Sequence, residues 1–309
     1  MTKIITVTNQ KGGCGKTTSV ISLAAALAKR GYSVTVVDCD PQMNATQAFG
    51  VQAEDLGEDQ FTVIDAYLNK KQAVDIEMDF PERLGGLMHL VPGSRGCSSV
   101  QLRFDASLNE KLASQEITHI DADNLKDQQR HRLKDSLDSL QGKRDFVIVD
   151  TGPELGFVMT TTLIAADYYI VPMIPSGYDL RGLKLLIKAV AQIRDRYQRN
   201  LTLLGVLLTK VKRTKLDQDI KEMLLSVFAE DDLFKVEISD SVRHREATLY
   251  GQSIHEHAPG ESASTQYLEL ADEVIERVGS PAPLSKAKNA DSEAGEVNPE
   301  NLEMEAEHG

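Results

Sequence analysis

The stretch NQKGGCGKTT, Asn9 to Thr18, gathers glycines and lysines in the way a chain does where it handles phosphate. Gly15-Lys16-Thr17 completes the pattern G-x-x-x-x-G-K-[ST]. In such a loop successive backbone N–H groups wrap phosphate oxygens, and the following helix presents its positive end. Gly12, Gly13 and Gly15 permit close backbone approach, Cys14 fills the variable position, and Thr18 follows Thr17 into the helix. In that chemistry Lys16 reaches the β- and γ-phosphates and the Thr17 hydroxyl sits on Mg²⁺. The opening glycine of the pattern is missing. Gln10 stands in its place, followed by a second lysine, Lys11.

These groups need a rigid frame, and the surrounding sequence supplies one. KIITVT (Lys3 to Thr8) is a buried-type strand running into the loop. TTSVISLAAALAKRG follows as a helix with Val20, Leu23, Ala24 and Leu27 on one face and Gly31 as its stop. SVTVVDCD is the next strand and PQMNATQAFG a loop, which makes a βαβ unit with a right-handed crossover. DFVIVD (Asp145 to Asp150) is a buried strand whose last carboxylate stands where a metal ion beside the loop needs an oxygen ligand. GLMHLVPG reads as a short strand, and Leu125, Leu133, Leu137 and Leu140 as the apolar face of a helix ending near Gly142. YYIVPMI, a helix from about Asp179 to Arg199, the strand LTLLGVLLT and a last helix in STQYLELADEVIERV complete the pattern. The alternation predicts an α/β fold, doubly wound, with a mainly parallel sheet and helices on both faces. Between Val51 and Arg144 the pattern is weakest. After Gly279 the sequence turns polar and acidic without periodicity. Residues 1–279 are therefore expected to form the folded domain and 280–309 an acidic disordered tail.

KGGCGKTT resembles the deviant Walker A motif, K-G-G-x-x-K-[ST], of the ParA/MinD family of P-loop ATPases. VVDCDPQMNAT resembles that family's switch I segment, and VIVDTGPELG its Walker B and switch II segment. The resemblance implies ATP and Mg²⁺ as cofactors and a nucleotide-dependent homodimer. In that dimer Lys11 crosses to the partner's nucleotide and neutralises transition-state charge as an arginine finger does. It further implies that Asp40 orients the attacking water, that Asp38 lies near the metal, and that Asp150 holds Mg²⁺ together with Thr17. Lys11, Lys16 and Asp40 would then be the catalytic set, with residues 11–18 forming the nucleotide loop. The sequence departs from the family pattern at Gly152 and Ser239, each standing where a proline is usual. The second departure leaves the adenine pocket unassigned.

The net charge of −13 argues against nucleic acid as a partner, but the charge is unevenly spread. From Arg181 to Lys221 eleven Lys/Arg face three Asp, a local balance of +8. Arg181, Lys184 and Lys188 recur on one face of a helix opposite Leu180, Leu183, Ile187 and Val190, and TKVKRTK places Lys210, Lys212, Arg213 and Lys215 in a loop. Arg243 and Arg245 follow in SVRHRE. Such clusters suit sequence-independent phosphate contact driven by counterion release. The family resemblance implies nonspecific DNA binding, with Arg213 and Arg243 matching implicated arginines and Lys212 and Lys215 beside them.

Three cysteines without metal-ligand spacing fit a reduced cytosolic compartment, and no apolar run is long enough to span a membrane. A membrane-cycling ATPase needs a basic amphipathic C-terminal helix, and the acidic tail is the opposite. A reductase that bridges an iron–sulfur cluster between subunits needs two cysteines from each, and only Cys97 lies outside the nucleotide loops. The sequence is thus expected to encode a cytoplasmic, nucleoid-associated ParA-type partition ATPase working with a ParB-like centromere-binding or cargo adaptor protein. A ParA-like ATPase that positions a protein cargo, such as a chemoreceptor array or microcompartment, is the alternative. A dimeric nucleotide switch without DNA binding is the alternative from another class.

Overall fold

Five short segments rich in Val, Ile and Leu are buried along almost their whole length, and they form the interior of one sheet. The computed structural model describes residues 1–57, 60–176, 179–197, 199–212, 214–279 and 283. Seven strands are present: β1 Lys3–Val7, β2 Val34–Asp38, β3 Met78–Asp79, β4 Met88–Val91, β5 Phe146–Asp150, β6 Tyr168–Met173 and β7 Thr202–Leu208. Their order is β3-β4-β2-β5-β1-β6-β7. Every neighbouring pair is parallel except β3 with β4, which is antiparallel. A continuous apolar run is what a parallel strand covered on both faces requires.

Alternate residues of each strand enter opposite halves of the core. Ile4, Val37, Val147 and Val149 join one cluster, with buried side chains of the helices His119–Leu137, Phe157–Ala165, Asp179–Arg196 and Lys215–Leu225. Ile5, Val7, Val34, Val36, Phe146 and Ile148 join the other, against the helices Lys16–Lys29 and Ser262–Val278. The expected doubly wound layering is therefore observed. Emptying either half of a large side chain, as in Leu27→Ala or Leu163→Ala, carries a cost of about 2–5 kcal/mol.

The poorly patterned middle contributes β3, β4, several short helices and the helices Val100–Ala113 and His119–Leu137. Leu133, Leu137 and Leu140 are buried as their spacing predicts, while Leu125 is half-buried. One expectation is corrected. PQMNATQAFG is not wholly a loop, because Asn44–Ala48 forms a short helix. The Asp38 carboxylate holds it in place by accepting both the backbone N–H and the hydroxyl of Thr46. The helix from Asp179 ends at Arg196. The predicted acidic tail lies outside the described residues apart from Pro283. No helix among the described residues is long and apolar enough to cross a membrane.

Candidate functional site

The sheet register brings the chemistry together. Val7 of β1 is paired with Asp150 of β5, and Asp150 in turn with Asp38 of β2. Three adjacent parallel strands therefore end side by side, one feeding the glycine loop and two ending in carboxylates. Ligands of open α/β sheets bind outside these carboxyl ends.

The glycine loop is anchored by Asn9. Its Nδ2 donates to the Pro172 carbonyl at 2.7 Å, and its Oδ1 accepts the Lys11 N–H at 3.0 Å. Gly13 and Gly15 adopt φ of 72° and 88°, the left-handed region where a side chain would be strained. A Cβ built on Gly12 or Gly13 would meet nothing within 4 Å, so the loop is open on the side where those atoms would stand. Gly15 caps the helix Lys16–Lys29 without a side-chain cap bond, and the first turn holds no acidic residue. The helix's first N–H groups and its positive end are thus left to an anion. The buried Lys16 donates through Nζ to the Lys11 carbonyl at 3.1 Å, which leaves it further donors for phosphate oxygens. Lys11 is half-buried, and its Nζ reaches Ser176 Oγ at 3.3 Å in the loop after β6.

The carboxylates form a buried, mutually repelling group. Thr17 donates its hydroxyl to Asp150 Oδ2 at 2.7 Å, and Asp150 Oδ1 accepts the Thr151 N–H at 3.0 Å. Asp150 is fully buried. Burial, followed by the charges of Asp38 and Asp40, pushes its pKa well above the usual carboxylate range against the opposing Thr17 bond and Lys16 charge. A bound cation would relieve that repulsion, and a carboxylate beside a hydroxyl is the oxygen donor set a hard ion such as Mg²⁺ selects. Asp38 is also fully buried, and burial is the main cause that raises its pKa to about 6. Its oxygens are engaged locally by the N–H groups of Asp40 and Thr46 and the Thr46 hydroxyl. Gly93 packs so closely that a Cβ there would come within 2.9 Å of Asp38 Cγ. Asp40, buried, accepts the Gln42 N–H at 2.9 Å and faces the loop after β5, where a Cβ on Gly152 would stand 3.4 Å from Asp40 Oδ1. The structure thus gathers Lys16, Thr17, Asp38, Asp40 and Asp150 and places Lys11 at the rim.

Beside the loop opens a cavity of about 270 Å³ that motif reading left unassigned. It is lined by Gly15, Thr18, Thr209, Lys210, Ser239, His244 and Tyr267 among others. The Tyr267 hydroxyl meets Ser19 Oγ at 3.1 Å, and the His244 ring stands edge-on to Tyr267 with centroids 5.6 Å apart. Neither nitrogen of His244 has a hydrogen-bond partner among the described residues, and burial lowers its pKa. An aromatic-walled slot that begins at Gly15 has the composition of a small-molecule site next to a phosphate loop. The signal in the sequence was the C-terminal segment around Ser239.

The basic face is only partly assembled. Arg213 lies outside the described residues, as does the side chain of Arg181. Lys184, Lys188 and Lys215 are exposed. An isolated bridge between Val211 and Ser239 brings the Lys212 loop against the segment leading to Arg243. Lys212 pairs with Asp240 at 3.9 Å, and Arg243 with Glu246 at 2.9 Å and Glu261 at 3.6 Å. Away from both regions, Glu77, Asp79 and His89 bring possible metal ligands together. The cation already among them is Arg144, 2.5 Å from Glu77.

Residues 2–203 match the family described as AAA domain. The chain is 30% identical over 276 residues to the sporulation initiation inhibitor protein Soj of Bacillus subtilis, covering 89% of this chain and 98% of that one. It is 32% identical over 275 residues to the chromosome-partitioning ATPase Soj of Thermus thermophilus, covering 89% and 96% respectively. Among solved structures, a protein of Mycobacterium smegmatis described as cobyrinic acid a,c-diamide synthase with bound ADP and magnesium superposes with a TM-score of 0.69. It is 25% identical and covers 92% of this chain and 98% of its own.

Proposed function

We propose, for a chain that belongs to the ParA/MinD family of P-loop ATPases, that it is a ParA-type ATPase driving the partition of DNA. The enzyme binds ATP with Mg²⁺ and hydrolyses it. The observation that carries this reading is the Thr17 hydroxyl 2.7 Å from Asp150, directly behind an uncapped helix N-terminus and a buried lysine. Thr17 and Asp150 are the residues to hold Mg²⁺, and the ion, when bound, offsets charge on the phosphates. Asp38 shapes the switch segment beside them.

The N–H groups of Gly12 to Thr18 bind the phosphate chain, Lys16 contacts its terminal groups, and the cavity lined by His244 and Tyr267 takes the nucleoside. Asp40 orients the attacking water from its position against the loop after β5. Lys11, resting on Ser176 in the isolated chain, is delivered to the partner's nucleotide when two copies close face to face. The dimer presents two basic surfaces carrying Lys212, Arg213, Lys215 and Arg243. Those surfaces bind DNA without regard to sequence, and a ParB-like protein bound to cargo stimulates hydrolysis and release.

Electrophoretic DNA binding with and without ATP tests this, with Lys16→Ala as the variant that cannot hold nucleotide. ATP-dependent retardation of unrelated DNA fragments is expected, and it should vanish in the variant. Retardation that ignores ATP would sink the switch. A second reading, a dimeric switch that binds only proteins, is favoured by the ion pairs on Lys212 and Arg243. Absence of DNA binding alongside intact ATP-dependent dimerisation would select it.

A further inference from the structure

The glycine loop is gripped from outside by two residues that belong to no nucleotide motif. Thr209, the residue after β7, is buried and donates its hydroxyl to the Cys14 carbonyl at 2.8 Å. Lys210, the next residue, donates Nζ to the Gly13 carbonyl at 2.7 Å. The grip has a firm base, since the Thr209 N–H bonds to the Met173 carbonyl at the end of β6 at 2.8 Å. Thr209 also packs under Gly15, with three side-chain atoms 3.7 Å from where a Cβ on that glycine would stand. Lys210 adopts φ of 54°, a conformation that side-chain-bearing residues seldom take.

Peptide planarity gives the grip a consequence. The Gly13 carbonyl shares a plane with the Cys14 N–H, and the Cys14 carbonyl shares one with the Gly15 N–H. No peptide bond among the described residues is cis, so within each plane the carbonyl and the N–H point in opposite directions. Drawing two successive carbonyls outward onto Lys210 and Thr209 turns the Cys14 and Gly15 N–H groups the other way. Successive N–H groups facing one side make an anion-binding concavity.

We infer that Thr209 and Lys210 are positioning residues, an outer clamp that aims these two backbone donors at the phosphate groups of the nucleotide before it arrives. The inference rests on the reading of the loop as a nucleotide site. A glycine-rich loop left to itself samples many conformations, and ordering it in advance removes a cost from binding. The clamp therefore acts chiefly on affinity for phosphate groups and not on the reacting atoms, although both residues also line the cavity assigned to the nucleoside.

Isothermal titration of the full chain with ADP, a nonhydrolysable ATP analogue and adenosine tests the clamp. Thr209→Val removes the hydroxyl at nearly constant volume, Lys210→Gln removes the ammonium from an exposed side chain, and Lys210→Arg restores a cation. Thr209→Val and Lys210→Gln should each weaken ADP and analogue binding about five- to tenfold, the scale of one lost hydrogen bond. Because both residues also line the cavity assigned to the nucleoside, adenosine affinity should fall too, but by less than ADP affinity. Lys210→Arg should recover most of the loss, and kcat at saturating ATP should fall less than affinity. Lys210→Gln should melt at the wild-type temperature without nucleotide, which keeps the test valid even if Thr209→Val folds poorly. Wild-type ADP affinity in Lys210→Gln overturns the clamp, as does an equal loss of adenosine affinity, which would put the residues on the nucleoside instead. A wild-type chain that binds no nucleotide overturns the reading of the loop and the clamp with it.

Discussion

His255 ties the nucleotide-loop helix to the C-terminal segment, and its chemistry sets a pH limit on the fold. The side chain is 3% exposed. Its Nε2 lies 3.2 Å from the Ser22 carbonyl, which can only accept, so Nε2 carries the proton. Nδ1 then accepts the Ser264 hydroxyl at 2.7 Å. The neutral ring satisfies both neighbours, whereas a second proton would bring a charge into a buried site and turn the Ser264 hydroxyl from donor to acceptor. Burial accordingly lowers the pKa from 6.5 to about 4. A folded-state pKa below the unfolded value contributes stability that is present above the unfolded pKa and lost as pH falls through the folded one. Over that whole interval the loss is on the order of 3 kcal/mol, and between about pH 7.5 and about pH 5 it is roughly 2 kcal/mol. Asp38 works the other way, since its raised pKa of about 6 gives stability that is lost as pH rises. The test must therefore compare variants and not one curve. His255→Gln keeps a donor for the Ser22 carbonyl but forfeits the Ser264 bond, at about 1 kcal/mol independent of pH. Denaturant unfolding at several pH values should show the variant less stable near neutrality and more stable near pH 5, so that the two curves cross. Parallel curves would refute the reasoning.

Three further outcomes follow from the site. Asp40→Ala should still bind ATP and dimerise, yet turn over very slowly, because only the water-orienting group is lost; a monomer on size exclusion with ATP, or unchanged turnover, would remove Asp40 from that role. In Asp150→Asn the amide oxygen can accept the Thr151 N–H while its NH₂ donates to Thr17 Oγ1, so the nucleotide-free protein should be stabilised by loss of a buried charge. Its ATP-induced rise in melting temperature should no longer respond to Mg²⁺, whereas the wild type at about a hundredfold excess over Kd should gain about 2.7 kcal/mol. Arg243→Ala should weaken binding to all DNA sequences alike, reduce the salt slope by about one, and spare ATP-dependent dimerisation; a sequence-selective loss on gel shift would contradict it.

What the sequence made legible was whatever local pattern dictates. β1, β2 and β5 are buried on both faces, so they read as apolar runs; the strand–glycine–helix signature marks Lys16 and Thr17, and the end of the apolar run in β5 marks Asp150. The missed features depend on contacts between distant segments. The helix Asn44–Ala48 is short and lacks a buried stripe long enough to show periodicity; it is pinned by Asp38 accepting from Thr46. β3 has two residues and exists through its pairing with β4. The helix Val100–Ala113 buries only Val100, Phe104 and Leu108, a stripe too thin to stand out among exposed polar residues. The cavity wall combines Thr209 and Lys210 with His244 and Tyr267, drawn together by the bridge between Val211 and Ser239. No single stretch carries that arrangement.

The proposed DNA binding must work against ion pairs already present on the basic face. Lys212 and Arg243 each already have carboxylate partners, and those pairs sit at the surface, with the Lys212 side chain 68% and the Arg243 side chain 45% exposed. Pairs so exposed contribute little, because water and salt screen them and holding two long side chains costs entropy. Exchanging Asp240 or Glu246 for a DNA phosphate therefore forfeits little, while each phosphate neutralised releases a condensed counterion. The carboxylates do carry a cost of another kind. In the proposed complex they would stand close to the phosphates and repel them, which would lower the affinity of a single subunit. Two such faces held together gain effective concentration instead of new contacts, so a change in the affinity of one face acts twice in the dimer. On this reasoning the carboxylates blunt the ATP dependence. Glu246→Gln with Glu261→Gln should raise the affinity of the ATP-bound dimer for DNA more than that of the nucleotide-free chain, and the ratio of the two affinities at fixed salt is the quantity to measure. An unchanged ratio would mean that these carboxylates only solvate the surface.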